Sequence, residues 1–319
     1  SNTLTISNFS RGIRLMFGDL VLATDSGEQV VDRLQALAKT PEDEDKLRLR
    51  GLRKVMQEHT YQDRMHYILS KVEGVERKST LSEFAVFAPV DTEQALASVI
   101  TQVLQQKSVV LTFYPVVSGD LTPSQAQQQL QQAGLNGVAL SQQDLAGQTL
   151  TDLVTEHCWC TAFLPEDYYG PNYLLDIALA RRYSQAQVVG KAAFYQYQDD
   201  ALSLVNEGLS YRGVTALPMR SSAIHPDLAR NIQVADWLTQ LAEGQYEFEA
   251  QLSIDRFNYC RDGAVAALSD HECQVLTRVN ELALDPGIAT DTLLSTAEQI
   301  QPLVENKQAV KRYGPEFLA

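Results

Sequence analysis

Apolar residues recur along this chain in two rhythms, and the change between them falls at residues 73–82. Before it, Leu20-Val21-Leu22-Ala23 is a short apolar run closed by Thr24-Asp25-Ser26-Gly27, a cluster that ends a strand and caps a helix. Val30, Val31, Leu34 and Leu37 then recur at helical spacing. Pro41-Glu42-Asp43-Glu44 opens another helix, with acids in its first turn where the helix dipole favours them. That helix carries a basic cluster (Lys46, Arg48, Arg50, Arg53, Lys54), readable as a phosphate site or as a solvated face that compensates the acids. Residues 1–75 thus predict a strand followed by helices.

Beyond the polar boundary, strands and helices alternate. Residues 84–90 read as a strand and 92–106 as an amphipathic helix. Residues 108–117 are almost wholly apolar, the kind of strand buried on both faces of a parallel sheet. Thr122-Pro123 caps a Gln-rich helix ended by Gly134. Strands at 138–140 and 158–163 flank a helix at 150–156, and a helix at 171–183 leads to a strand at 188–197 interrupted by Gly190-Lys191. Hairpins follow over 198–225, then a helix around Asp236-Trp237-Leu238, a late strand at 254–259 and a helical tail. The expectation is α/β: a doubly wound, mostly parallel sheet with right-handed crossovers. Ligands bind such sheets at the carboxyl ends of the strands, which singles out Asp91, Ser118–Asp120 and the segment after Phe163.

Composition narrows the partners. The 319 residues are 45% hydrophobic and 21% charged, as in ordinary folded proteins. Twenty-six basic against 40 acidic residues give a net charge of −14, which repels phosphate backbones and argues against nucleic acid. No apolar run approaches the ~20 residues of a membrane-spanning helix. No charged-then-apolar start marks a signal peptide. The expectation is a cytoplasmic protein, with peripheral attachment at the inner membrane left open. The opening Ser1-Asn2 suggests part of a longer polypeptide. Of the four cysteines, Cys158 and Cys160 form a Cys-x-Cys pair in a strand, where both side chains take one face; no second ligand pair follows at zinc spacing, so they read as buried thiols in a reducing compartment.

The chemistry concentrates in Phe163-Leu164-Pro165-Glu166-Asp167-Tyr168-Tyr169-Gly170-Pro171-Asn172-Tyr173-Leu174-Leu175-Asp176, an apolar strand, an acidic turn, an aromatic pair and a Gly-Pro that opens a helix. Acids at a strand's carboxyl end suit Mg²⁺ or Mn²⁺, which could neutralise a diphosphate as a Lewis acid. The stretch resembles the acidic motif of bacterial GT-A-type glycosyltransferases, which reads four Asp and then Tyr-Tyr-Gly-Pro-x-Tyr-Leu-x-Asp. Val188-Val189-Gly190-Lys191-Ala192 and Asp255-Arg256-Phe257-Asn258-Tyr259 with Arg261 also fit that branch. Asn8-Phe9-Ser10-Arg11-Gly12-Ile13-Arg14, Glu58-His59-Thr60-Tyr61 and Arg64 resemble the C-terminal end of a CgeB-type GT-B glycosyltransferase.

The resemblance implies three segments: a GT-B remnant at 1–75, a GT-A-like nucleotide-sugar transferase domain at 83–265 and a helical extension at 266–319. It implies transfer of a sugar (hexosyl transfer) from a nucleotide-diphosphate donor to a surface-polysaccharide or other glycan acceptor. Asp236 would be the general base, Glu166 and Asp167 would hold Mn²⁺ or Mg²⁺, and Asp91, Lys191 and Tyr168 would contact the donor. The departures are specific. Leu164 and Pro165 stand where the branch has Asp, and Ala235 precedes Asp236 where it has Glu. A catalytically degenerate scaffold, or a module binding a glycan or partner within a larger glycosyltransferase, is therefore the alternative. Blander roles stay open as well: helix caps for Asp91, Glu166 and Asp167, a helix N-terminal acid for Asp236, a strand-end lysine for Lys191, and loop packing for Tyr168. His225 and His271 have no nucleophile or ligand partner in the sequence.

Overall fold

The computed structural model of the chain describes residues 2–74, 83–154, 157–264, 268–277 and 284–305. They form two compact units, residues 1–78 with 281–319, and residues 79–280.

In the first unit, strands β1 (Thr5–Ser7) and β2 (Val21–Ala23) pair in parallel around helix α1 (Arg11–Phe17). Ser10 caps α1 by accepting from the Ile13 N–H, and Ser26 caps α2 (Gly27–Ala38) by accepting from Gln29. Helix α3 (Pro41–Glu58) starts on its proline, and α4 (Tyr61–Val72) starts from a capping box between Thr60 and Asp63. Leu20, Leu37 and Leu47 form the small core. The charges of α3 serve local pairing: Arg48 meets Asp45 at 3.1 Å and Lys54 meets Glu58 at 2.9 Å.

Residues 285–290 belong to this unit. The Asp19 N–H donates to the Asp285 carbonyl at 2.7 Å, and the Ile288 N–H to the Leu15 carbonyl at 2.7 Å. Gly287 adopts φ +75°, and a Cβ there would meet the Met16 backbone at 2.5 Å, so the Pro286-Gly287 break lets the chain pass close against α1. The helix Thr290–Glu305 follows.

The second unit alternates as the sequence predicts: β3 (Glu83–Val90), α5 (Glu93–Leu104), β4 (Val110–Val117), α6 (Pro123–Ala133), β5 (Leu140–Ser141), α7 (Leu150–Leu153) and β6 (Trp159–Ala162). Then come β7 (Tyr168–Tyr169), α8 (Tyr173–Ala180), β8 (Val188–Gly190), the hairpin β9 (Phe194–Gln198) and β10 (Ala201–Val205), β11 (Arg212–Gly213), β12 (Leu217–Pro218) and β13 (Ser222–Ile224). Helices α9 (Pro226–Ala229) and α10 (Val234–Gln240), strands β14 (Gln245–Tyr246), β15 (Gln251–Ser253) and β16 (Tyr259–Arg261), and helix α11 (Asp270–Thr277) complete it.

Eight strands form one sheet in the order β11-β15-β8-β13-β6-β3-β4-β5. Strand β3 is parallel to β4 and β6, β4 to β5, and β15 to β8; β13 runs against both its neighbours. The sheet has a core on each face, as its apolar central strands require. Leu96, Val99, Leu130, Leu174 and Ile177, from α5, α6 and α8, pack on one; Leu150, Ala229, Val234 and Trp237, from α7, α9 and α10, belong to the other. Cys158 and Cys160 both join the second core, the same-face placement that a strand gives residues two apart. Among the described residues no helix is long and apolar enough to cross a membrane.

Of two expected strands, one is divided and the other is mostly a connection. Residues 188–197 split at Gly190 into β8 of the large sheet and β9 of a second sheet, β10-β9-β16-β7. Ser222 lies so close to Gly190 that no Cβ would fit there. Residues 254–258 run between β15 and β16, with Asn258 at φ +61°, a turn from one sheet into the other.

Cys158, Cys160 and Cys260 are buried, and burial pushes the Cys160 and Cys260 thiols up, whereas Cys273 is half-buried. In the native protein an aromatic disulfide reagent is therefore expected to titrate Cys273 alone, and all four thiols only after unfolding. Prompt modification of Cys158 or Cys160 would contradict this packing.

Candidate functional site

The acidic turn after β6 is built on its core neighbours. Leu164, where the resembled motif has an acid, is buried in the second core with Met219 and Trp237. Its N–H donates to the Tyr169 hydroxyl at 3.1 Å. Pro165 and Glu166 then rise to the surface, and the chain turns back so that Asp167 is wholly buried.

A buried carboxylate needs charge and hydrogen-bond donors around it, and Asp167 has a full set. Arg220, just before β13, donates from Nε to Asp167 Oδ2 at 2.8 Å and from Nη2 to Oδ1 at 2.5 Å. Oδ2 also accepts from the Tyr259 hydroxyl, and Oδ1 from the Asp262 N–H, each at 2.8 Å. Arg220 Nη2 lies 3.4 Å from Glu166 Oε1 and 3.3 Å from Asp262 Oδ1, while Nη1 donates to the Ala242 carbonyl at 3.2 Å. Burial works to lower the Arg220 pKa, but its bonds to Asp167 outweigh it and hold the guanidinium charged far above its ordinary range. Burial pushes the Tyr169 and Tyr259 phenols well up, which keeps both as O–H donors at neutral pH.

Glutamines of α5 and its end brace the same loop. The fully buried Gln102 donates to the Asp167 carbonyl at 3.2 Å and accepts from the Tyr169 N–H at 2.7 Å. Gln105 reaches the Tyr169 carbonyl at 2.7 Å and Gln106 the Gly170 carbonyl at 3.0 Å. The Phe163 and Tyr169 rings stack 4.0 Å apart.

The structure treats the sequence-predicted residues differently. Asp91 is exposed directly after β3 at the carboxyl edge; the cap of α5 is Thr92, whose hydroxyl accepts from the Ala95 N–H at 3.2 Å, so Asp91 does not serve as that cap. Nor do Glu166 and Asp167 cap α8, which starts from Asn172. Lys191 lies wholly in the interior, donating to the Asp255 carboxylate at 2.9 Å and carbonyl at 3.1 Å, with Asp176 at 4.0 Å. It presents nothing to a phosphate at the surface. Tyr168 is buried in β7 opposite Cys260, where its ring packs rather than offering a face to a sugar. Asp167 has both its oxygens committed to donors, Tyr169 Oη at 3.4 Å from Oδ2 included, and Glu166 leans on the same guanidinium. Among the described residues no three His, Cys, Asp or Glu side chains come together to hold a metal ion. This corner does not fit Mn²⁺ or Mg²⁺ as it stands.

Asp236 lies elsewhere, exposed in the first turn of α10. It lines a cavity of about 320 Å³ together with Asn231, Gln233, Gln240, Gln245 and Phe248. The cavity wall includes Met219, one residue before Arg220, and the Trp237–Tyr246 pair, joined by a 2.6 Å bond from the indole N–H to the Tyr246 hydroxyl.

Arg220, Gln102 and Asp262 are the participants that sequence reasoning missed, while Tyr259 entered only as part of the Asp255–Tyr259 motif, with no role given to it. Of those three, Gln102 alone leaves a trace in the sequence, as an amide in the apolar stripe of Leu96, Val99 and Val103.

Residues 1–70 match the model of a family described as glycosyl transferase-like. Among solved structures, the chain is similar to S. aureus TarS residues 1-349, at 13% identity and a TM-score of 0.41 over 61% of this chain and 69% of that one. It is similar to the same fragment in complex with UDP-GlcNAc at 12% identity and TM-score 0.39, over 56% and 58% of the two chains. For a third structure, titled simply TarS, the values are 12% and 0.38, and this chain spans 36% of that chain's length. No curated protein matches the sequence.

The Lys191–Asp255 pair yields a direct test of the interior. Asp255→Ala removes the 2.9 Å carboxylate partner of the buried Lys191, leaving it the residue-255 carbonyl and the more distant Asp176, and is expected to cost about 3–5 kcal/mol in urea unfolding. A loss below about 1 kcal/mol, as for a surface pair, would show that the interior tolerates the bare charge.

Proposed function

We propose that this chain belongs to a glycosyltransferase that moves a sugar from a nucleotide-diphosphate donor onto a glycan acceptor. The observation that carries the reading is Asp236, the carboxylate implied as general base. It stands exposed on a cavity of about 320 Å³ lined by the amides of Asn231, Gln233, Gln240 and Gln245. Such amides both donate and accept, matching sugar hydroxyls, and Phe248 adds an apolar face. An acceptor hydroxyl in that cavity would pass its proton to Asp236 as its oxygen bonds to the donor's anomeric carbon. The bond from that carbon to the diphosphate would break, with the nucleoside diphosphate leaving. The donor would lie along the carboxyl edge of the sheet, where Asp91 and Glu166 are exposed. The mostly parallel sheet with helices on both faces supports a GT-A-like second unit. The family match over residues 1–70 supports a glycosyltransferase-derived first unit, the end of a GT-B-like domain.

A second reading, a non-catalytic module that binds a glycan or a partner, is favoured by the commitment of Asp167 and Lys191 to interior ion pairs. Titration calorimetry with UDP, GDP and CDP separates the two. Binding of one nucleotide supports the transferase, and silence with all three supports the module. In a transfer assay with the nucleotide sugar so identified, Asp236→Asn is expected to lower turnover by about 10²–10⁴-fold. Because Asp236 is exposed, its thermal unfolding should not change; full turnover in the variant would remove Asp236 as the base.

A further inference from the structure

We propose that the guanidinium of Arg220 takes the place of a divalent cation at the acidic corner, so that the corner binds no metal. Arg220 Nη2 is approached by three carboxylates from two segments distant in sequence: Asp167 Oδ1 at 2.5 Å and Glu166 Oε1 at 3.4 Å from the turn after β6, and Asp262 Oδ1 at 3.3 Å from just beyond β16. Oxygen donors from distinct loops converging on one point are what a Mg²⁺ or Mn²⁺ site requires. Here the point is filled by a nitrogen that carries its charge permanently, because a guanidinium does not deprotonate in a protein.

The surrounding bonds fix it there. Nε and Nη2 make the two-pronged contact to Asp167, and Nη1 is held by the Ala242 carbonyl. The Asp262 N–H, donating to Asp167 Oδ1 at 2.8 Å, comes from a residue at φ +57°, a conformation uncommon outside glycine that closes the last side of the carboxylate. A metal could enter only by displacing a buried guanidinium and leaving it unpaired, which is strongly unfavourable. The half-exposed Glu166 and Asp262 remain at the rim, their charge solvated by water. Leu164 agrees with this arrangement: a core residue suffices where the corner no longer needs another acid.

The exclusion of metal rests on this geometry alone; its consequence for a nucleotide rests on the reading under Proposed function. The first experiment is titration of the full chain with Mn²⁺, followed by electron paramagnetic resonance of the free ion. No stoichiometric Mn²⁺ uptake is expected for the wild type. Uptake that disappears in Glu166→Gln would overturn the proposal. In Arg220→Met the three carboxylates lose their shared cation, and Mn²⁺ uptake is expected to appear. Where that variant fails to fold, the wild-type titration still decides. Calorimetry with UDP, GDP and CDP, in EDTA and again with Mn²⁺, adds the consequence. Equal affinity in both supports the proposal, and binding only with Mn²⁺ overturns it. Silence with every nucleotide counts against the transferase reading, while the Mn²⁺ titration still judges the corner.

Discussion

The acidic corner of the second unit depends on one interaction, the buried pair between Asp167 and Arg220. A carboxylate removed from water must be matched charge for charge and donor for donor, or the interior does not close. Meeting that demand brings together the turn after β6, Arg220 two residues before β13, and Tyr259 and Asp262 at the two ends of β16, segments far apart in sequence. The stack of Phe163 on Tyr169, the reach of Gln102 into the loop and the phenol of Tyr259 all follow from holding that carboxylate in place.

A second buried pair works in the same way where the chain crosses between its two sheets. Lys191 leaves the end of β8 and meets Asp255, which also accepts from the Phe257 N–H at 2.8 Å. Both crossings, 191–193 and 254–258, are thereby tied to each other. Interior charge in this unit acts as a set of joints. Of the candidate acids, Asp91, Glu166 and Asp236 are exposed, on the carboxyl edge and on the amide-lined cavity, whereas Asp167 is buried.

The first unit has a different economy. Its core is small, and it is drawn together by caps, by short helical ion pairs and by the return of residues 285–290 against α1 and α3. Lys54 illustrates this, meeting Glu58 one turn along and the Ile288 carbonyl at 3.0 Å from far along the chain. A basic cluster that invites a phosphate in sequence is, in part, committed to such ties.

What the sequence determined by itself was local. Apolar spacing, the Thr-Pro and Ser caps and the Gly134 stop placed most helices and the parallel strands within a few residues, because these depend on neighbours three or four positions apart. The aromatic-acidic stretch also stood out in the sequence, because an apolar strand ending in acids is a contiguous pattern. The tertiary structure decided which acids face water. Glu166 and Asp167 are adjacent in sequence and opposite in fate, and only the position of Arg220, 53 residues away, separates them. It likewise divided residues 188–197 between two sheets and made 254–258 the connection from one to the other. The partners of a buried charge are chosen by the closing of the core, and their separation along the chain leaves no periodicity to read.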